Sequence, residues 1–265
     1  MERHLTNLWT NQKGEVVLQY RNWDGDTPLD REEEVQPANW YFCIKTEDLD
    51  QAGRLAVWNL VNDVTPDGEF SRIYCQNLGL NRWDRERGMS DAATKLVDAL
   101  REAGIQTYEA DITPHYRYLI ENKLTMATKF KILFYDIETD DRGEGIEVGR
   151  DQIISYAAID QNKKVYYYSG DEKKLLEHFH RTIGDYDVIA GWNSDRFDGP
   201  YLRKRAQKHG VKFFDFYHTQ QVDLLQRFQE LYHKDQAVAQ GIRSYKLENV
   251  ATYFLDSGKI PHNLS

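Results

Sequence analysis

Phe134-Tyr135-Asp136-Ile137-Glu138-Thr139 ends an apolar strand, read as Lys131–Asp136, on two carboxylates set two residues apart. Side chains alternate between the faces of a strand, so Asp136 and Glu138 point the same way and Ile137 turns into the opposite layer. Two convergent carboxylates at a strand end suit hard, oxygen-preferring cations such as Mg²⁺ or Mn²⁺. The competing reading is a pair of solvated acids, because a bare Asp-x-Glu is a short pattern that chance produces often.

Moving outward, apolar strands and amphipathic helices alternate. Gln152–Ile159, Lys163–Tyr168 and Asp187–Gly191 read as strands, and Glu172–Ile183 and Pro200–His209 as helices. This alternation predicts an α/β layer fold with a mixed sheet over residues 129–265. Residues 1–106 predict a smaller, mixed α+β amino-terminal domain, with strands at Glu15–Tyr20 and Trp40–Ile44 and a helix over Ser90–Ala103. The charged run Asp24–Val35 reads as a solvated loop. Residues 107–128 form a connector, where Thr113-Pro114 reads as an N-cap followed by proline at the first helical position.

A third carboxylate enters after the strand Asp187–Gly191. In Trp192-Asn193-Ser194-Asp195-Arg196-Phe197-Asp198-Gly199-Pro200, Asp198 falls at a strand-to-helix junction within reach of the sheet edge that carries Asp136 and Glu138. An Asp before Gly-Pro also reads as a helix N-cap, and the two roles are compatible. On the helix that follows, Arg203, Lys204, Arg205 and Lys208 read as either a phosphate-facing row or a solvated face that complements the helix dipole.

The 265 residues are 40% hydrophobic and include 17 Tyr, which is ample for a globular core. No apolar run approaches the ~20 residues that span a bilayer, and the first residues do not resemble a signal peptide, so the expectation is a cytoplasmic protein. Cys43 and Cys75 are too few and too far apart for a zinc site or a disulfide framework. The net charge of −9 argues against a protein that coats nucleic acid. A nuclease escapes that objection, since bound metal ions restore positive charge where the phosphate sits.

Tyr135-Asp136-Ile137-Glu138-Thr139 resembles the first exonuclease motif of family B DNA polymerases, and Asn193-x-x-x-Phe197-Asp198 with Pro200-Tyr201-Leu202 resembles the second. Tyr108-Glu109-Ala110-Asp111-Ile112 and Arg117-Tyr118-Leu119-Ile120 resemble the segment that joins the amino-terminal and exonuclease domains in the archaeal branch. Ile153–Tyr156, Asp187–Ile189, Val222–Leu224 and Ser244–Glu248 fall in family order, so the likeness runs from about Tyr108 to Phe254 and is weak before it. It implies a ribonuclease-H-like 3′→5′ exonuclease domain with four acidic ligands for two Mg²⁺ or Mn²⁺ ions ~4 Å apart. By that correspondence Asp136 bridges the two ions, Glu138 holds the one that activates water and Asp198 contacts the other. Asn193 and Phe197 position the terminal nucleotides, although core packing explains Phe197 equally well.

The family's third motif, Tyr-x-x-x-Asp, supplies the water-orienting tyrosine and the fourth ligand, and it is missing here. One such spacing, Tyr156-x-x-x-Asp160, precedes the second motif. The expectation is therefore an amino-terminal fragment or subunit of a DNA polymerase that acts on single-stranded or frayed 3′ DNA ends. A further segment or second polypeptide would supply the third motif and the polymerase domain, and the isolated chain would be feeble. Two alternatives stay open. One is a non-catalytic DNA-binding scaffold. The other is a self-sufficient histidine-type exonuclease built on His218-x-x-x-x-Asp223, although Asp223 more simply caps the helix carrying Leu224, Leu225 and Phe228.

Overall fold

A computed structural model describes all residues except 12, 76–82, 85–88, 141–146, 213–218, 234–240, 243, 257 and 259–265. β1 (Glu2–Thr10), β2 (Val16–Asp24) and β3 (Thr27–Gln36) form an antiparallel sheet with β2 in the middle. β2 carries the buried side chains Val16, Val17, Leu18 and Trp23. Most of the charged run expected as a loop is strand β3. Gly25 takes a φ of 55° in the tight turn, and β3 pairs with β2 from Asp24↔Thr27 to Val16↔Gln36. Charge patterning reports the solvation of side chains, and an exposed edge strand satisfies it as well as a loop does. Glu32 and Glu34 of β3 reach across to Arg3 on β1.

A second sheet, ordered β4-β6-β5, is built from β4 (Tyr41–Lys45), β5 (Val61–Asp67) and β6 (Phe70–Cys75), with α1 (Leu49–Ala52) after β4. β7 (Trp83–Asp84) and β8 (Met89–Ser90) form a short pair ahead of α2 (Asp91–Glu102). Ala93, Leu96, Val97 and Leu100 recur at helical spacing on α2 and bury one face against Phe42, Ile44 and Ile73. α3 (Pro114–Glu121) starts after Thr113 at the N-cap position, with its Tyr118 and Leu119 packed in the cluster of Leu5, Leu8 and Leu18. The Thr113 hydroxyl makes no capping bond and instead lies 3.0 Å from His115 Nε2.

The chain divides into two compact units, Met1–Lys129 and Phe130–Ser265. The second holds β9 (Ile132–Thr139), β10 (Ile153–Asp160), β11 (Val165–Ser169), α4 (Glu172–Ile183), β12 (Val188–Gly191), α5 (Asp198–His209), β13 (Gln220–Asp223), α6 (Leu224–Leu231) and α7 (Leu247–Leu255). Its sheet runs β11-β10-β9-β12-β13. β10 is antiparallel to both β9 and β11, whereas β12 is parallel to β9 and β13. This is the mixed sheet expected from the alternation of elements. Leu133, Tyr135 and Ile137 of β9 pack with Leu175, Leu176, Phe179 and Ile183 of α4 and Tyr201, Leu202 and Ala206 of α5. A separate cluster around Ile242 and Val250 gathers Trp192, Phe228, Tyr232 and Tyr245.

Arg205 departs from both readings of the basic row on α5. It is buried, and its guanidinium pairs with the equally buried carboxylate of Glu172, with Nε donating to Oε1 at 2.7 Å. Among the described residues, no helix is long and apolar enough to cross a membrane.

Candidate active site

The two faces of β9 separate as the alternation requires. Leu133, Tyr135 and Ile137 are buried, whereas Phe134, Asp136 and Glu138 are exposed on the other side. In the register with β10, Asp136 stands opposite Ala157 and Glu138 opposite Ser155. β12 runs parallel on the other flank of β9, with Ala190 beside Phe134, so the loop that follows β12 emerges next to the carboxylate end of β9.

That loop is tightly folded. Asn193 takes a left-handed φ of 63°, a conformation that asparagine tolerates better than most residues. Its carbonyl accepts from Phe197 N–H at 3.0 Å, and Ser194 O accepts from Gly199 N–H at 2.8 Å. Asp223 anchors the loop from the end of β13. Its Oδ1 accepts from Asn193 N–H at 3.0 Å and its Oδ2 from Asp195 N–H at 3.1 Å, while Oδ1 also accepts from Leu225 N–H at 2.9 Å as the cap of α6. The cap was legible in the sequence. The clamp on a loop about 30 residues away had no local signal. A carboxylate so fully engaged by backbone N–H groups is poorly placed to be the ligand of a histidine-type site. His218 lies outside the described residues.

Asp198 is the first residue of α5, and Phe197, not Asp198, occupies the N-cap position. The Asp198 side chain is 2% exposed, and its Oδ1 is buried without a hydrogen-bond partner. Burial, and then the neighbouring Asp136 carboxylate, push its pKa up to about 7, while hydrogen bonds from its own N–H and from Ile137 N–H pull the other way. The structure thus brings Asp198 to β9 and into electrostatic contact with Asp136. Glu138 shares the exposed face of Asp136, but among the described residues no three His, Cys, Asp or Glu side chains close into a metal cluster. Phe197 is half-buried, with its ring 5.3 Å from that of Tyr201 and against the core of the second unit.

A raised carboxyl pKa has a defined sign in stability. The unfolded Asp198 ionises near 4 and the folded one at about 7, so the neutral form favours folding at low pH. As pH rises through that window the folded state loses up to ~4 kcal/mol, at ~1.4 kcal/mol per pH unit. The metal-free melting temperature is therefore expected to fall between about pH 4 and 7, and Asp198→Asn to flatten the profile. Melting curves measured in chelator across that range check this, and parallel profiles for the two proteins would refute it.

Residues 133–259 match the RNase_H_2 family model of the RNase_H superfamily. This stretch has a ribonuclease-H-like fold. In sequence, the chain is 36% identical over 133 residues to the DNA polymerase of Thermococcus sp. strain GE8, a match covering 44% of this chain and 8% of that protein. It is 37% identical over 133 residues to the DNA polymerase of Pyrococcus horikoshii, covering 43% and 11%. The chain thus spans about a tenth of the length of these relatives. In structure, it matches the family B DNA polymerase from the hyperthermophilic archaeon Pyrobaculum calidifontis with a TM-score of 0.65 at 19% identity. That match covers 97% of this chain and 39% of the polymerase, and at such identity the likeness is one of fold.

Proposed function

We propose that the ribonuclease-H-like unit is a divalent-metal-dependent 3′→5′ exonuclease for DNA, serving a family B DNA polymerase as its proofreading domain. The observation that carries this reading is Asp198. A nearly inaccessible carboxyl group has an unpartnered oxygen beside a second carboxylate, on the strand that also presents Glu138. Such an arrangement is costly without a cation and suits an oxygen-preferring one, so these residues fit Mg²⁺ or Mn²⁺.

Asp136 and Asp198 would hold the metal between strand and helix, with Glu138 completing the set on the exposed face. Two bound ions would supply the charge needed to activate water and to stabilise the leaving 3′ oxygen of a phosphodiester. The chain's own residues contribute position. β9 holds its carboxylates on a rigid strand, the clamp from Asp223 fixes the loop that leads to Asp198, and Asn193 and Phe197 stand on that loop to orient the terminal nucleotides. No Tyr-x-x-x-Asp follows the second motif within these residues. The fourth ligand and the polymerising activity would therefore come from a further segment or a second polypeptide.

The absence of a closed three-carboxylate cluster among the described residues favours one rival, a scaffold that keeps the fold with idle carboxylates. Calorimetric titration with Mn²⁺ separates the two. Asp136→Ala is expected to remove most of the binding seen in the wild type, whereas equal isotherms would leave Asp136 and Glu138 as a solvated strand end.

A further inference from the structure

Beneath Asp198 lie two more buried oxygens that lack a hydrogen-bond partner, Tyr135 Oη and Ser194 Oγ. Tyr135 is one residue before Asp136 but on the opposite face, so its ring enters the core beside Phe179, at 5.3 Å, while its hydroxyl comes next to Ser194 and Asp198. Ser194 is fully buried, and its carbonyl binds the N–H of Gly199, the residue after Asp198. The surroundings leave little room. A Cβ on Gly191 would come within 2.8 Å of Ser194 Cβ, and one on Gly199 within 3.0 Å of Ser194 O.

Buried hydroxyls without partners are uncommon, because each forfeits the bonds it made to water. Three such oxygens in one place, two of them hydroxyls able to donate and one a carboxylate oxygen able only to accept, would complement one another with Asp198 holding a cation. We infer that Ser194 and Tyr135 are positioning residues for Asp198: Ser194 Oγ–H donates to Tyr135 Oη, and Tyr135 Oη–H donates to the inner carboxylate oxygen Oδ1. Held from within, Asp198 keeps its other oxygen oriented toward the cation. This rests on the reading of Asp198 as a metal ligand and adds a layer behind it. Groups that orient a ligand from behind typically affect metal affinity about 10- to 100-fold.

The test compares wild type, Tyr135→Phe, Ser194→Ala, the double variant and Asp198→Ala by Mn²⁺ calorimetry, with melting temperatures measured in chelator. Tyr135→Phe removes only a hydroxyl that is unpaired without metal, so its metal-free melting temperature is expected to stay level or rise. Its Mn²⁺ affinity is expected to fall about 10- to 100-fold. A purely structural tyrosine would not separate the two readouts. Because the relay passes through Tyr135, the double variant is expected to bind no more weakly than Tyr135→Phe, while Ser194→Ala alone loses less. If Asp198→Ala weakens binding and Tyr135→Phe leaves it unchanged, the relay is wrong and the metal reading stands. If Asp198→Ala itself leaves the isotherm unchanged, both are overturned.

Discussion

Replacing Asp198 by alanine is expected to lower metal-dependent release of 3′ nucleotides by at least ~10²–10³-fold, the scale of losing one preorganised contact to developing charge. The assay is a labelled single-stranded primer incubated with this chain and with a polypeptide carrying the Tyr-x-x-x-Asp segment. This chain alone is expected to be feeble, since misplacing the attacking water by about 1 Å can cost ~100-fold. The large effect at this position follows from its burial: no solvent-exposed side chain can replace a carboxylate buried at the start of α5 against β9. The variant is also expected to be at least as stable as the wild type in chelator at pH 8, because it removes a buried acid that lacks a partner on one oxygen. Loss of activity with stability retained marks a functional group and excludes unfolding as the cause. His218→Ala is expected to leave the rate almost unchanged. Should the His218 variant be inactive while Asp198→Ala still releases nucleotides, the site is of the histidine type and the assignment of Asp198 fails.

Arg205→Ala is expected to cost the ribonuclease-H-like unit about 3–5 kcal/mol, the range for stranding one partner of a buried ion pair. Glu172 at the start of α4 accepts from Arg205 Nε and from Ile153 N–H, each at 2.7 Å, and lies 2.6 Å from His209 Nε2. Arg205 Nη1 also donates to the carbonyl of Arg150 at 3.0 Å. One pair therefore ties both helices to β10 and to the segment before it. For a unit of this size the loss corresponds to a drop in melting temperature on the order of 10–20 °C. The surface pairs Arg3–Glu34 and Arg72–Asp67 should contribute no more than about 1 kcal/mol each. Thermal unfolding of Arg205→Ala beside Arg72→Ala checks the contrast, and similar small shifts in both would show that burial does not set the cost here.

How much of this was legible beforehand depended on the range of the interaction concerned. The alternation in Ile132–Thr139 put Asp136 and Glu138 on one face because strand geometry is a property of neighbouring peptides. The helix α4 begins and ends where its amphipathic period does, and Asp223 caps α6 as expected, its side chain binding amides two and three residues ahead. The charged run at β3 misled because its hydrogen-bonding partner is another strand, and side-chain charge says nothing about backbone pairing. Arg205 misled for a similar reason: its partner, Glu172, is 33 residues away.

By itself the sequence determined the order of strands and helices from β9 to α5, the face on which Asp136 and Glu138 stand, and the strand-to-helix junction that carries Asp198. Those follow from backbone periodicity and from caps that act within a few residues. Only the tertiary structure decided that Asp198 is the buried member of the set, that Asp136 pushes its pKa upward, and that the hydroxyls of Tyr135 and Ser194 lie beneath it. Desolvation and charge repulsion depend on which groups meet in space, and residues 135–138, 194 and 198 meet only because the parallel pairing of β9 with β12 brings their ends together.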